Sequence, residues 1–119
     1  MMSMRQFRDV DYLDHMLEAI KLARNYTEGL AREDFLADKK TQQAVILNIL
    51  VLGEAATKLV DSYPEFVARH ADVPWKNMRG MRNRMAHGYF EINLDIVWDT
   101  IQQSLPDIER KIREIRPPG

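Results

Sequence analysis

Apolar residues recur at spacings of three and four along most of this chain, and that rhythm predicts helices. Val10, Leu13, Leu17 and Ile20, widened by Met16 and Ala23, form one stripe over about Phe7 to Tyr26. Asp9, Asp11 and Asp14 fall in its early turns and Lys21 and Arg24 near its end, the sense the helix dipole favours. Gly29 marks its stop. A second helix is predicted from an N-cap at Thr41 to about Ser62. Its middle, Ala44 to Leu52, is apolar nearly all round, which calls for burial on several sides, in a bundle or in a bundle that also pairs with a second copy. Glu54 in that setting needs a cation or a backbone donor, and Arg82 is the candidate.

Asp72 as N-cap and Pro74 in the first turn predict a third helix reaching His87, closed by Gly88 in the left-handed conformation. Asn93 caps a fourth, in which Leu94, Val97, Ile101, Leu105, Ile108 and Ile112 keep helical spacing to about Ile115, with Trp98 beside them. Pro106 interrupts it and predicts a kink or a tightened turn. Residues 27–40 and 63–73 read as polar connections with at most a short turn near Phe35 and Leu36 and an anchor at Phe66, and residues 116–119 as a frayed tail. The expected fold is an all-α, up-and-down four-helix bundle in one domain over residues 1–119, with no repeat or linker.

Bulk composition changes this picture little. At 119 residues, 45% apolar and 29% charged, the chain suits one compact domain with a core of its own. It has no cysteine, so disulfides and thiol chemistry are excluded, which suits a reducing cytoplasm. No apolar stretch follows Met1 to Gln6, so no signal peptide is expected. The longest apolar run, Ala44 to Leu47, is too short and too soon followed by polar residues to suggest a bilayer span.

Charge changes it more. Net charge is −1, yet from Val73 to Phe90 there are Lys76, Arg79, Arg82 and Arg84 and no carboxylate. His87 and Tyr89 stand at the end of that run. Cations, an imidazole and a phenol in proximity are parts for binding and cleaving a phosphodiester; a solvated basic helix face is the plainer reading. On an ideal helix Met78, Met81 and Met85 share a narrow arc with Trp75 beside it, which is packing. Arg82 sits at the edge of that arc, Arg79 and Asn83 further round, and Lys76 and Arg84 point elsewhere as solvated or steering charges. Arg82 and His87 lie about 140° apart, so they converge on a ligand only through the loosened last turn and the reach of arginine. Cleavage of RNA needs a base for the 2′-hydroxyl, an acid for the leaving oxygen and a cation for the charged phosphorane. One histidine cannot comfortably be both acid and base; two copies across a two-fold axis can. His15, His70 and His87 share no metal-ligand spacing, no glycine-rich phosphate loop is present, and no cofactor is called for.

Val73-Pro74-Trp75-Lys76, then Gly80-Met81-Arg82-Asn83-Arg84-Met85-Ala86-His87-Gly88-Tyr89-Phe90 and Val97-Trp98, with Gly53-Glu54-Ala55-Ala56 upstream, resemble the HepT-like branch of the HEPN superfamily over nearly the whole chain. The resemblance implies a homodimeric helical bundle and a metal-independent ribonuclease, the toxin of a toxin–antitoxin pair whose partner is a minimal nucleotidyltransferase. It implies that Arg82 and His87 are catalytic with Asn83 in support, and that Tyr89 receives AMP from the partner. Arg79, Lys76 and Arg84 are the expected RNA-binding cations. HEPN domains also include non-catalytic modules that assist a partner nucleotidyltransferase in binding its substrate.

Overall fold

The computed structural model describes residues 7–118, and within them the secondary structure is helical without strands. The expectation concerning residues 1–6, that no signal peptide begins there, lies outside the described residues, as does Gly119 of the tail. The α-helices are α1 (Asp9–Thr27), α2 (Arg32–Leu36), α3 (Lys39–Ser62), α4 (Pro64–Arg69), α5 (Trp75–His87), α6 (Leu94–Asp99) and α7 (Leu105–Ile115). A 3₁₀ turn spans Tyr89–Glu91, and a π turn, Thr100–Ser104, joins α6 to α7.

Helix α3 is the spine. It packs along α1 on one side and α5 on the other, and α7 closes against α1. Leu13, Met16 and Ile20 from α1 meet Val45, Ile49, Leu52 and Leu59 from α3, all essentially fully buried. Burying a side chain of this size contributes about 1.5–3 kcal/mol. Helix α3 is long and apolar enough, by length and hydropathy, to cross a bilayer, which the short run Ala44 to Leu47 did not suggest. More than half of that stretch is instead buried against its neighbours.

Several local expectations change. The connections at 27–40 and 63–73 carry α2 and α4, each pinned by one buried aromatic, Phe35 or Phe66. Asp38, not Thr41, caps α3: its Oδ1 accepts the Thr41 amide at 3.1 Å and its Oδ2 accepts the Thr41 hydroxyl at 2.6 Å. Asp72 caps nothing; α5 begins at Trp75 after Pro74, and its start is fastened by the Trp75 indole donating to the His70 carbonyl at 3.0 Å. Gly88 is not left-handed but sits at φ −124°, its amide bonded to the Arg84 carbonyl at 2.8 Å. The chain does not reverse there; it runs on into the 3₁₀ turn, so no positive φ is required. Gly29, at φ 80°, is the glycine that needs one. Pro106 sits behind a widened turn rather than a tightened one: the Leu105 amide reaches back five residues to the Thr100 carbonyl. Arg116 is not frayed, since its guanidinium grips the Asp14 carboxylate on α1. Asn93 does cap α6, accepting from the Asp95 and Ile96 amides.

Glu109 ties α1 to α7. Its carboxylate, mostly shielded from solvent, accepts from Arg24 at 2.6 Å and from Arg113 at 2.8 Å. Burial pushes its pKa upward, but the two guanidiniums outweigh burial and leave it below the ordinary 4.5. A carboxyl depressed on folding adds stability above its unfolded pKa and loses it as pH falls through the folded one. Chemical denaturation at falling pH is therefore expected to show declining stability, with a shallower decline in Glu109→Gln. Parallel curves for the two proteins would show that this contact does not drive the acid sensitivity.

Candidate active site

Helix α5 is amphipathic in the manner its sequence requires. Trp75, Met78 and Met85 are buried, while Lys76, Asn83, Arg84 and His87 are exposed. Its approach to α3 is unusually close at one point. A Cβ built on Gly53 would lie 2.4 Å from the Cβ of Arg82 and 2.6 Å from the Met78 carbonyl. Only a residue without a side chain lets the two helices meet there, and the meeting fixes the root of Arg82.

The guanidinium of Arg82 is held from α3. Its Nη2 donates to the Thr57 hydroxyl at 3.2 Å, and that hydroxyl donates in turn to the Gly53 carbonyl at 2.8 Å. Its Nε stands 3.6 Å from Glu54 Oε1, too far for a good hydrogen bond, and is buried with no hydrogen-bond partner. The expected Glu54–Arg82 pairing is thus present but loose. Beyond this anchor the Arg82 side chain stays partly exposed, so the rest of its guanidinium is available to an added anion. Arg79, one turn earlier, also faces α3 and pairs with Asp61 at 2.7 Å.

The other expected site residues are placed differently. His87 is exposed in the last turn of α5, and Asn83 is exposed one turn before it. Neither makes a side-chain hydrogen bond with Arg82 within the described residues. Tyr89, 43% exposed, opens the 3₁₀ turn and leans toward α3, with its hydroxyl 3.5 Å from Gln43 Nε2. Lys76 and Arg84 lie on the face of α5 away from Arg82. One chain therefore brings Arg82 and Arg79 to α3, sets His87 and Tyr89 at the C-terminal end of α5, and leaves Lys76 and Arg84 across the helix. His15 is exposed with its ring edge-on to Phe7, and the His70 ring packs on Phe66, so neither joins the site. Within the described residues no group of three or more His, Asp or Glu side chains is placed to hold a metal ion.

Thr57, Asp61 and Gln43 escape sequence reading, because a polar residue on an outer helical turn is ordinary until its neighbour is known. Gly53 inside a long helix was the available signal, since glycine there costs stability unless two backbones need to meet. The structure also reveals an exposed stripe on α3. Gln43, Leu47, Val51, Glu54 and Lys58 share one face, with Leu47 60% and Val51 40% exposed. Its two ends lie against Tyr89 and Arg82.

Residues 16–115 match the family described as "Ribonuclease HepT-like". The chain is 36% identical to a protein of Thermococcus cleftensis named "Probable ribonuclease HepT", over 89% of this chain and 94% of that one. It is 35% identical to a protein of Caldanaerobacter subterraneus subsp. tengcongensis that carries a provisional RNase name, over 87% of this chain and 90% of the other. A provisionally named RNase of Methanocaldococcus jannaschii is 38% identical over 87% of this chain and 84% of its own length. No solved structure matches the chain significantly. With one family covering residues 16–115 and relatives aligned over most of their length, the chain belongs to the HepT-like ribonuclease family.

Proposed function

We propose that this protein is an endoribonuclease that cleaves RNA without a metal ion, working as a homodimeric four-helix bundle whose sites lie across the two-fold axis. The observation that carries the reading is Arg82, anchored on Thr57 yet partly exposed, on the same helix as an exposed His87. The uncovered Leu47 and Val51 supply the apolar centre of a dimer contact running between Arg82 and Tyr89. In such a dimer His87 of one copy removes the proton from a ribose 2′-hydroxyl. The freed oxygen attacks phosphorus, and the bond from phosphorus to the 5′-oxygen breaks. His87 of the second copy returns a proton to the departing oxygen. Arg82 stabilises the charge on the pentavalent phosphorus, with Asn83 in support. The products are a 2′,3′-cyclic phosphate and a 5′-hydroxyl.

Control is proposed to come from a minimal nucleotidyltransferase acting as antitoxin in the cytoplasm. The Tyr89 hydroxyl attacks the α-phosphorus of ATP and pyrophosphate leaves. AMP on Tyr89 then sets bulk and negative charge two residues from His87, where it competes with RNA for Arg79 and Arg82. A second reading, a non-catalytic module that helps the nucleotidyltransferase bind substrate, draws on the pairing of Arg79 with Asp61, which occupies one of the cations.

One experiment separates the two. The protein is prepared alone and with the nucleotidyltransferase, ATP and magnesium; each sample is weighed by intact mass and assayed on RNA in the presence of a chelator. The expected result is cyclic-phosphate ends from the unmodified protein, a mass gain in whole AMP units absent from Tyr89→Phe, and no cleavage after the gain. Intact RNA with tight binding to the nucleotidyltransferase would favour the module.

A further inference from the structure

Between α5 and α6 lies a hollow of about 320 Å³, floored by Met81, Met85, Ile92, Ile96 and Val97. Arg84 and Glu91 stand at its edge. An adjoining, more polar groove shares Met81 and Arg84 with it and adds Lys76. We propose that the apolar hollow takes one base of the RNA next to the cleaved phosphate, and that Arg84 takes the phosphate of that same nucleotide. This rests on the ribonuclease reading and deepens it by assigning a specificity subsite.

Arg84 is the first argument. Every other arginine of the described residues has an acidic or aromatic partner: Arg24 and Arg113 on Glu109, Arg32 on Asp95 and Asp99, Arg79 on Asp61, Arg82 on Glu54, Arg8 on Asp11, Arg110 on Asp107 and Glu114, Arg116 on Asp14, and Arg69 over Phe66. Arg84 has none. A guanidinium left unpaired in a chain of net charge −1 is a free donor for phosphate.

Position is the second. Arg84 and His87 are three residues apart, which places them about 60° and about 4.5 Å apart along an ideal helix. Gly88, directly after His87, lines the hollow. A strand whose scissile phosphate lies at His87 therefore reaches the hollow within one nucleotide. By contrast, Arg82 is about 140° from His87 on the same helix and faces α3. The strand is held from both flanks of α5.

Chemistry is the third. A volume near the lower end of small-ligand pockets, about 300–1,000 Å³, fits a single base, and thioether and aliphatic walls pack on any base face. The Glu91 carboxylate accepts hydrogen bonds and cannot donate them, so it selects a base edge that offers N–H groups. Guanine, with two adjacent donors, is the best match.

The test uses RNA oligonucleotides identical but for the bases flanking the cut, and a 2′-deoxy version that cannot be cleaved. Ile96 is 60% exposed, so Ile96→Glu is expected to fold as the wild type does, with thermal unfolding as the control. Wild type is expected to prefer guanine at one flanking position. Glu91→Gln, whose amide both donates and accepts, is expected to lose that preference, and Ile96→Glu to bind the uncleavable RNA about tenfold more weakly, in the range of one lost base contact. Arg84→Ala is expected to weaken binding whichever base is present. Cleavage by wild type with no flanking preference, an unchanged preference in Glu91→Gln, or unchanged binding in Ile96→Glu overturns the subsite alone. Loss of AMP transfer to Tyr89 in Ile96→Glu, with RNA binding kept, assigns the hollow to the nucleotidyl group and also overturns it. Failure of wild type to cut or bind RNA removes the ribonuclease reading and the subsite with it.

Discussion

His87→Ala is expected to lower RNA cleavage by about 10²–10⁴-fold, the usual worth of a positioned acid or base. Because His87 serves as base in one copy and acid in the other in the proposed dimer, the upper part of that range is expected. The fold should survive. The ring is exposed at the end of α5, and no hydrogen bond from its side chain holds the helix. The measurement is a rate of cleavage beside a thermal unfolding curve. A rate unchanged from wild type would remove His87 from the chemistry, and a collapse of the melting temperature would make the loss uninformative. Arg82 is a poorer residue for the same purpose. Its side chain also joins α5 to Thr57 of α3, so truncation disturbs packing and chemistry together. Arg82→Lys keeps the charge and removes the planar, bidentate head, and separates the two more cleanly.

Gly53→Ala is expected to destabilise the protein more than most single surface or loop changes would. The added methyl would meet the Cβ of Arg82 at 2.4 Å and the Met78 carbonyl at 2.6 Å. Neither is the free end of a flexible side chain, so α3 and α5 have to separate. Overpacking of this kind costs about 1–3 kcal/mol, which for a domain of this size lowers the melting temperature by several degrees. Activity should fall further than stability accounts for, because the displaced helix carries Arg82. Gly80→Ala is the matched control for stability. A Cβ there meets nothing closer than Arg84 Nη1 at 3.7 Å, an ordinary contact. Removing a mid-helix glycine should then add about 0.5–1 kcal/mol. Equal melting temperatures for Gly53→Ala and wild type would show that the helix crossing yields easily and does not position Arg82.

Elements with two or more turns of apolar spacing were legible in the sequence. The stripes of α1 and α3, and of the segment from Leu94 to Ile115, each repeat often enough to define a face. Helices α2 and α4 were not, because five or six residues offer a single buried aromatic and no repeat. The cap of α3 illustrates a competition between near neighbours. Thr41 and Asp38 are both good caps, and the aspartate prevails because it satisfies the amide and the hydroxyl of Thr41 together. At the site, the link between Glu54 and Arg82 could be inferred, since an acid among apolar residues needs a cation. That Arg84 is unpaired could not, because pairing depends on acids distant in sequence, as Glu109 lies 85 positions from its partner Arg24.

The π turn before Pro106 links two kinds of evolutionary change. A π turn holds one residue more than the α-helix it interrupts, so deleting a residue between Thr100 and Ser104 would restore ordinary helical bonding and keep Val97 and Ile108 in phase with the core. Ordinary bonding, however, would press the Pro106 ring toward the carbonyl four residues before it. Shortening the helix is then harmful while the proline remains and tolerable once it is replaced. The two positions are epistatic, and lineages that vary this helix in length should vary the proline with it.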